Sequence, residues 1–302
     1  MPFRNSGYLL NALSRREPVV THPNRQFLIG GDLPAQRLGF GAMHVTGSGV
    51  LGEPSDRKGA IALLRRVVDL GINLLDTADA YGPEVSERII AEALHPYPPN
   101  LLIATKGGYT RPSGQWVADG RPQHLKKACE ASLRRLKLER IDLYQFHTPD
   151  PRVPIEDSLG ALAELRNSGK VRHVGVSNFS IQQIERARAV VPIVSVQNHY
   201  NVAYRSSEPV LKYCERHGLG FIPFYPLGYG RLPRHNRLLG KVAGRYGATA
   251  SQIALAWLLK HSPVMLPIPG TSSIAHLEEN ARAASLELSD ADFLELNEYF
   301  RE

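Results

Sequence analysis

The chain has 302 residues, 43% hydrophobic and 22% charged, with 26 Gly and 22 Pro, a composition that supports a large core and excludes disorder, collagen and coiled coil. The formal charge of +7 comes from scattered basic residues, and the densest groups, 134–140 and 231–237, lack the interleaved aromatics of a single-strand groove, which argues against nucleic acid as a partner. No apolar run approaches the roughly 20 residues of a membrane span, and Cys129 and Cys214 show no metal-ligand spacing, so neither membrane nor metal is expected and a cytoplasmic setting is the simplest.

The first 25 residues carry Arg4, Arg15 and Arg16 but neither a signal-peptide core nor a cleavage pattern, and they read as a disordered N-terminal extension. From residue 26 to 302 the chain reads as one domain. RLGFG, at 37–41, is the first strand-like run. Gly47, Gly49 and Gly52 then spell G-x-G-x-x-G, formally a dinucleotide fingerprint. That motif needs its third glycine inside the opening helix, whereas Glu53, Pro54 and Ser55 follow here, so the segment reads as a mobile loop beside a site mouth. The next stretch is helical: Ser55 or Asp56 can cap it, Ile61, Leu64, Val67 and Val68 form an apolar stripe, and Gly71 stops it.

INLLD at 72–76 and LLIATK at 101–106 are the next strands, and Leu125, Cys129, Leu133 and Leu136 mark a further helical face. IDLYQFH, VRHVGVSN, IVSVQN, GFIPFY and VMLPIPG complete a set of eight runs alternating with helical stretches. This predicts an α/β fold, a (β/α)₈ TIM barrel with extra helices and long loops at its C-terminal face. In such a barrel the strand ends converge, so Asp76, Lys106, His147, Asn178 and Gln197 share one face.

Singly, Asp76, Tyr81, Lys106 and His147 have ordinary explanations as a cap, a rim residue, a solvated cation and a satisfied hydrogen-bonder. Together they form a proton-transfer group. Tyrosine ionises near pH 10, so a cation beside its hydroxyl is expected to lower that value, and Lys106 supplies one that Asp76 keeps protonated. His147 is placed to bind a carbonyl oxygen. The set protonates an oxygen while an electron pair arrives at carbon, and because it holds no hydride source a cofactor must bring one.

Three blocks, 71–94, 132–147 and 267–280, resemble the aldo-keto reductase superfamily in order and spacing, Glu87 included. The resemblance implies an NADP(H)-dependent oxidoreductase with Tyr81 as general acid, Lys106 and Asp76 tuning it, and His147 orienting the carbonyl. It implies that Ser177, Asn178 and Gln197 hold the nicotinamide carboxamide, and that Phe224 or its neighbour Tyr225 stacks on the ring. Leu227 and Gly228 match the pyrophosphate region, and Asp76 with the Gly41, Ala42, Met43 turn matches the approach to the ribose. Glu279 and Asn280 match adenine contacts. Where many members place Lys and Arg against the 2′-phosphate, this chain has Gly270 and His276, with Thr271, Ser272 and Ser273 as hydroxyl donors near a helix start; NADP(H) is expected ahead of NAD(H).

Segments 37–57, 81–97 and 224–228 are similar to one branch of that family, the bacterial pyridoxal reductases. The expected reaction is therefore reduction of an aldehyde to a primary alcohol, pyridoxal to pyridoxine, with Tyr109, Trp116 and Tyr229 as candidate walls for a flat ring. The expected partner is a small carbonyl compound, and the sequence carries no signature of oligomeric state. Alternatives are a general reductase of other aldehydes or ketones and a non-catalytic cofactor-binding subunit similar to potassium-channel β subunits, against which the intact four-residue set argues. A lyase working through a Lys106 Schiff base would leave Tyr81, Asn178 and Gln197 without a role.

Overall fold

The computed structural model describes residues 26–232 and 236–300; the expected 1–25 extension lies outside the described residues. Strands β1 (Gln26–Ile29) and β2 (Leu33–Gln36) pair as an antiparallel hairpin. Gly30 and Gly31, at φ 65° and 84°, make the turn in a region that L side chains resist. Next come β3 (Phe40–Gly41), α1 (Arg57–Asp69), β4 (Leu74–Asp76), α2 (Val85–Leu94) and β5 (Leu102–Gly107). A small hairpin, β6 (Tyr109–Thr110) with β7 (Val117–Ala118), precedes α3 (Pro122–Leu136). The alternation resumes with β8 (Ile141–Phe146), α4 (Ile155–Asn167), β9 (Val171–Ser177), α5 (Ile181–Val190), β10 (Ile193–His199), α6 (Glu208–His217) and β11 (Gly220–Phe224). Four helices end the described chain: α7 (Arg237–Arg245), α8 (Ala250–His261), α9 (Ile274–Arg282) and α10 (Asp290–Tyr299).

Local chemistry sets these boundaries. Asp56 caps α1 by accepting the amide of Gly59, and the helix gives way at Gly71, φ 77°. Capping boxes open α5 at Ser180 and Gln183 and α8 at Thr249 and Gln252.

Seven parallel strands lie in the order β3, β4, β5, β8, β9, β10, β11. The expected eighth strand is not one among the described residues. The run 264–270 instead bridges the two edges: Phe221 N donates to Val264 O at 2.8 Å, Leu266 N to Phe221 O at 2.8 Å and Gly39 N to Pro267 O at 2.9 Å. Pro263, Pro267 and Pro269 have no N–H to donate, so no continuous ladder forms although the ring of the (β/α)₈ barrel closes.

Inside the ring, Leu74, Leu102, Ala104, Leu143, Ile222, Leu266 and Ile268 pack with Ile29, Leu33 and Ala35 of the first hairpin, which plugs the end opposite the site. The strands' outer faces bury larger clusters against the helices. Among the described residues, no helix is long and apolar enough to cross a membrane.

Candidate active site

Strand periodicity brings the polar residues together. Leu74, Ala104, Leu143 and Ile222 face the barrel interior, so Asp76, Lys106, Gln145 and Phe224, each two positions later, face the same way at the carboxyl end. The apolar interior thus ends in a polar layer.

Lys106 is fully buried. Its Nζ donates to Asp76 Oδ1 at 2.5 Å, to Thr77 O at 2.9 Å and to the Tyr81 hydroxyl at 3.3 Å. Burial disfavours its charge, but Asp76 and Tyr81 outweigh this and hold the ammonium above the ordinary lysine range. The expected lowering of Tyr81 is not found. Burial raises its hydroxyl, and Lys106 does not reverse this because Asp76 shares the same ammonium and opposes its pull. In the resting site Tyr81 is therefore a protonated phenol, a state suited to proton donation.

Asp76 is held from its other side by Gln197 Nε2 at 2.8 Å and Gln145 Nε2 at 3.0 Å. Gln145 escaped the sequence reading, although its period-two relation to Leu143 marks it as inward. Behind β4 and β5, Thr77 and Ser86 hydroxyls pair at 2.8 Å, and buried Glu87 accepts from Thr105 Oγ1 and Arg135 Nε, both at 2.6 Å. These bonds fix α2, and with it the turn carrying Tyr81.

His147 follows β8, with its ring 6.0 Å from that of Tyr81, 4.8 Å from Tyr109 and 6.0 Å from Trp116. Burial and the Lys106 charge hold it well below the ordinary histidine range, so it is a neutral imidazole. Its buried Nδ1 has no partner among the described residues. Asn178, at φ 63°, donates through Nδ2 to His147 O at 3.0 Å and to Ser177 Oγ at 3.2 Å, tying the ends of β8 and β9 together.

A cleft of about 330 Å³ runs from this centre across the barrel seam. Its walls include Gly41, Met43, Asp76, Tyr81, Gln197, Phe224, Tyr225, Leu227, Tyr229, Gly270, Thr271, Ser272, His276, Glu279 and Asn280. His147, Ser177 and Asn178 are not on that wall: His147 stands beside Tyr81, and Asn178 lines a second pocket with Phe179 and His199. Gly228 and Ser273 are not on the wall; Ser273 caps α9 by accepting the amide of His276. The neighbours Phe224 and Tyr225 separate clearly. Phe224 keeps the inward parity and stacks on His199 at 5.4 Å, whereas Tyr225, at φ 52°, leaves the strand and meets Tyr229 at 3.6 Å with the rings tilted by 31°. At the seam, a Cβ on Gly270 would come within 2.6 Å of Gly41 O, so this wall is backbone. A long groove with a backbone floor, an aromatic wall and hydroxyls ahead of α9 fits a dinucleotide.

The glycine loop 47–52 packs on the turn after Tyr81 and does not form a Rossmann unit. Contrary to expectation it is tied down: Gly52 N donates to Gly82 O at 2.5 Å and Gly82 N to Val50 O at 3.2 Å, beside Tyr81.

Comparison with known proteins agrees with this geometry. The aldo/keto reductase family matches residues 37–300. The chain is 44% identical over 267 residues to pyridoxine 4-dehydrogenase of Escherichia coli, covering 86% of this chain and 93% of that protein. It is similar to the structure of a glycerol dehydrogenase from Gluconobacter oxydans, with TM-score 0.85 and 28% identity over 92% of this chain and 95% of that one. It is also similar to an aldo/keto reductase from Klebsiella pneumoniae solved with NADP and acetate, with TM-score 0.79 and 26% identity over 91% and 95%.

Proposed function

This chain belongs to the aldo/keto reductase family, and from that premise we propose that it reduces an aldehyde to a primary alcohol with NADPH, its preferred substrate being pyridoxal and its product pyridoxine. The observation that carries the reading is the buried lysine that touches both Asp76 and the Tyr81 hydroxyl, beside a neutral histidine and on the cleft that Asp76 and Tyr81 line. When bound, the cofactor supplies a hydride to the carbonyl carbon.

The chain's own residues do the rest. Tyr81 passes its phenolic proton to the carbonyl oxygen, and Lys106 stabilises the phenolate left behind until solvent returns a proton. Asp76 keeps Lys106 charged throughout. His147, neutral and therefore a donor through one ring nitrogen, orients the oxygen between itself and Tyr81. Gln197 spends its Nε2 on Asp76, which leaves Oε1 to accept from a carboxamide, and Asn178 likewise spends Nδ2 on His147 and Ser177. In this reading Phe224 backs the nicotinamide ring, Leu227 flanks the pyrophosphate, Thr271, Ser272 and His276 meet the 2′-phosphate, and Glu279 and Asn280 border the adenine.

Support for pyridoxal is the identity to a relative named for pyridoxine oxidation and the aromatic wall of Tyr109 and Trp116, which suits a flat ring. The test follows NADPH and NADH oxidation against an aldehyde panel. Pyridoxal is expected to have the highest kcat/KM, with NADPH the better donor. If pyridoxal is reduced no faster than nitrobenzaldehyde the substrate assignment fails, and if no aldehyde is reduced the reductase reading fails.

A further inference from the structure

Arg111 sits outside the catalytic group, in the turn between β6 and β7, yet every N–H of its guanidinium is committed. Nε and Nη2 donate to Gly114 O at 3.2 and 2.9 Å, Nη2 to Gly49 O at 3.4 Å, and Nη1 to Val50 O and Ala80 O, both at 3.1 Å. Three segments remote in sequence therefore meet on one guanidinium: the glycine loop, the turn that carries Tyr81, and the hairpin turn itself. The acceptors are all backbone carbonyls, and among the described residues no ion pair to Arg111 is found. A surface arginine engaged in solubility or charge pairing would not be built this way.

The same group lies over the ring of Trp116. Its Cζ is 3.9 Å from the Trp116 ring centroid, within cation–π range, and Trp116 stands edge-on to Tyr109 at 5.2 Å and to Tyr81 at 6.3 Å. Trp116 is 42% exposed, so packing alone does not hold it. The hairpin turn also abuts the glycine loop, since a Cβ on Gly114 would come within 2.9 Å of Leu51 Cδ1. We propose that Arg111 is a positioning residue for substrate specificity: it staples the glycine loop to the Tyr81 turn and pins Trp116 as a preformed wall, favouring flat aromatic aldehydes over small aliphatic ones. A wall fixed before binding spares the substrate the cost of ordering it. Only arginine carries five donors in one plane with a face left to stack. The Tyr81 turn has its own bonds, Tyr81 N to Ala78 O and Ser86 N to Tyr81 O, each 3.2 Å, so the chemical step outlives loss of the staple.

This inference rests on the reductase reading, and the test separates the two. Steady-state constants for benzaldehyde and propanal, NADPH affinity by fluorescence and thermal midpoint are compared for the unaltered enzyme, Arg111→Met, Arg111→Lys, Trp116→Leu and the Arg111→Met, Trp116→Leu pair. For Arg111→Met the benzaldehyde KM is expected to rise about tenfold while kcat, the propanal KM and NADPH affinity change less than about threefold. Lysine, with one donor point and no plane, should not rescue. In the Trp116→Leu background, removal of Arg111 should add less than about twofold, because the two act through one wall. An unchanged benzaldehyde KM in a folded variant, or equal rises for benzaldehyde and propanal, overturns the inference and leaves the reductase reading standing. If Arg111→Met does not fold, Arg111→Lys carries the same comparison. Absence of turnover by the unaltered enzyme with every aldehyde overturns both.

Discussion

A proton donor is defined by what its neighbours do to the charge it leaves behind. In the proposed reaction Lys106, which reaches both Asp76 and Tyr81, plays two parts in sequence: at rest the carboxylate claims most of its charge, and after proton transfer the new phenolate shares it. This explains why Tyr81 stays a phenol before the reaction, with burial the main cause, and still has a stabilised conjugate base afterwards. Tyr81→Phe keeps the ring and removes only the hydroxyl, so turnover should fall by about 10² to 10⁴-fold, the usual range for a general acid. NADPH affinity should stay close to that of the unaltered enzyme. Lys106→Met should lose a comparable factor. Its cause differs, because Asp76 is then buried without its cation and stability should fall as well, by about 3 kcal/mol. Stopped-flow hydride transfer beside equilibrium cofactor titration distinguishes the two variants. A Tyr81→Phe enzyme with near-normal kcat would remove the residue from its assigned role.

At the level of elements, the sequence was legible wherever a period carried the information. The strand ends that deliver Asp76, Lys106 and His147 stand out because each follows an apolar run that alternates or is buried on both faces. The run 264–270 has the composition of a strand and the position of one, but its prolines deny it the ladder, a distinction that hydrophobicity does not encode. The two short hairpins were not anticipated: β6 and β7 have two residues each, too few for a period. Phe224 at the end of β11, Thr271 ahead of α9 and Asn280 within α9 were named through family resemblance alone, and for a loop residue such as Thr271 no repeat betrays which way it faces. Arg111 gave no signal at all, its acceptors being carbonyls whose sequence identity is irrelevant.

Another joint between elements makes a pH prediction. Glu208, in the first turn of α6, accepts from the Tyr200 hydroxyl and from His261 Nε2 at 3.0 Å, linking the end of β10 to α8. Burial pushes its carboxyl up, but these donors prevail and bring it down to about 2. A depressed carboxylate stabilises the fold above its ordinary range and loses that contribution as pH falls from about 4.5 towards 2. Glu208→Gln should therefore cost about 2 kcal/mol in urea unfolding at pH 7 and much less at pH 3. A cost that is the same at both pH values would show that packing, and not charge, makes this joint.

For the whole molecule the decisive feature is where the cleft lies. Its walls include β3, β4, β10, β11, the proline-rich run and α9, so it straddles the one seam of the barrel where the hydrogen-bond ladder is incomplete. A ligand filling it touches both sides of that seam and binds the folded state alone. At one hundred times its dissociation constant such a ligand stabilises by about 2.7 kcal/mol. For a chain of this size that corresponds to a rise of about 5 °C in thermal midpoint. NADPH and NADH share every contact except the 2′-phosphate, so the difference between their shifts at equal concentration isolates the 271–276 segment. There the chain offers Thr271, Ser272 and His276 on the cleft wall, together with the first amides of α9. NADPH should give the larger shift, raising ionic strength should narrow the gap because the phosphate contact is exposed, and His276→Ala should narrow it further without altering the response to NADH. Equal shifts from both cofactors in the unaltered protein would show that this end of the cleft does not read the phosphate.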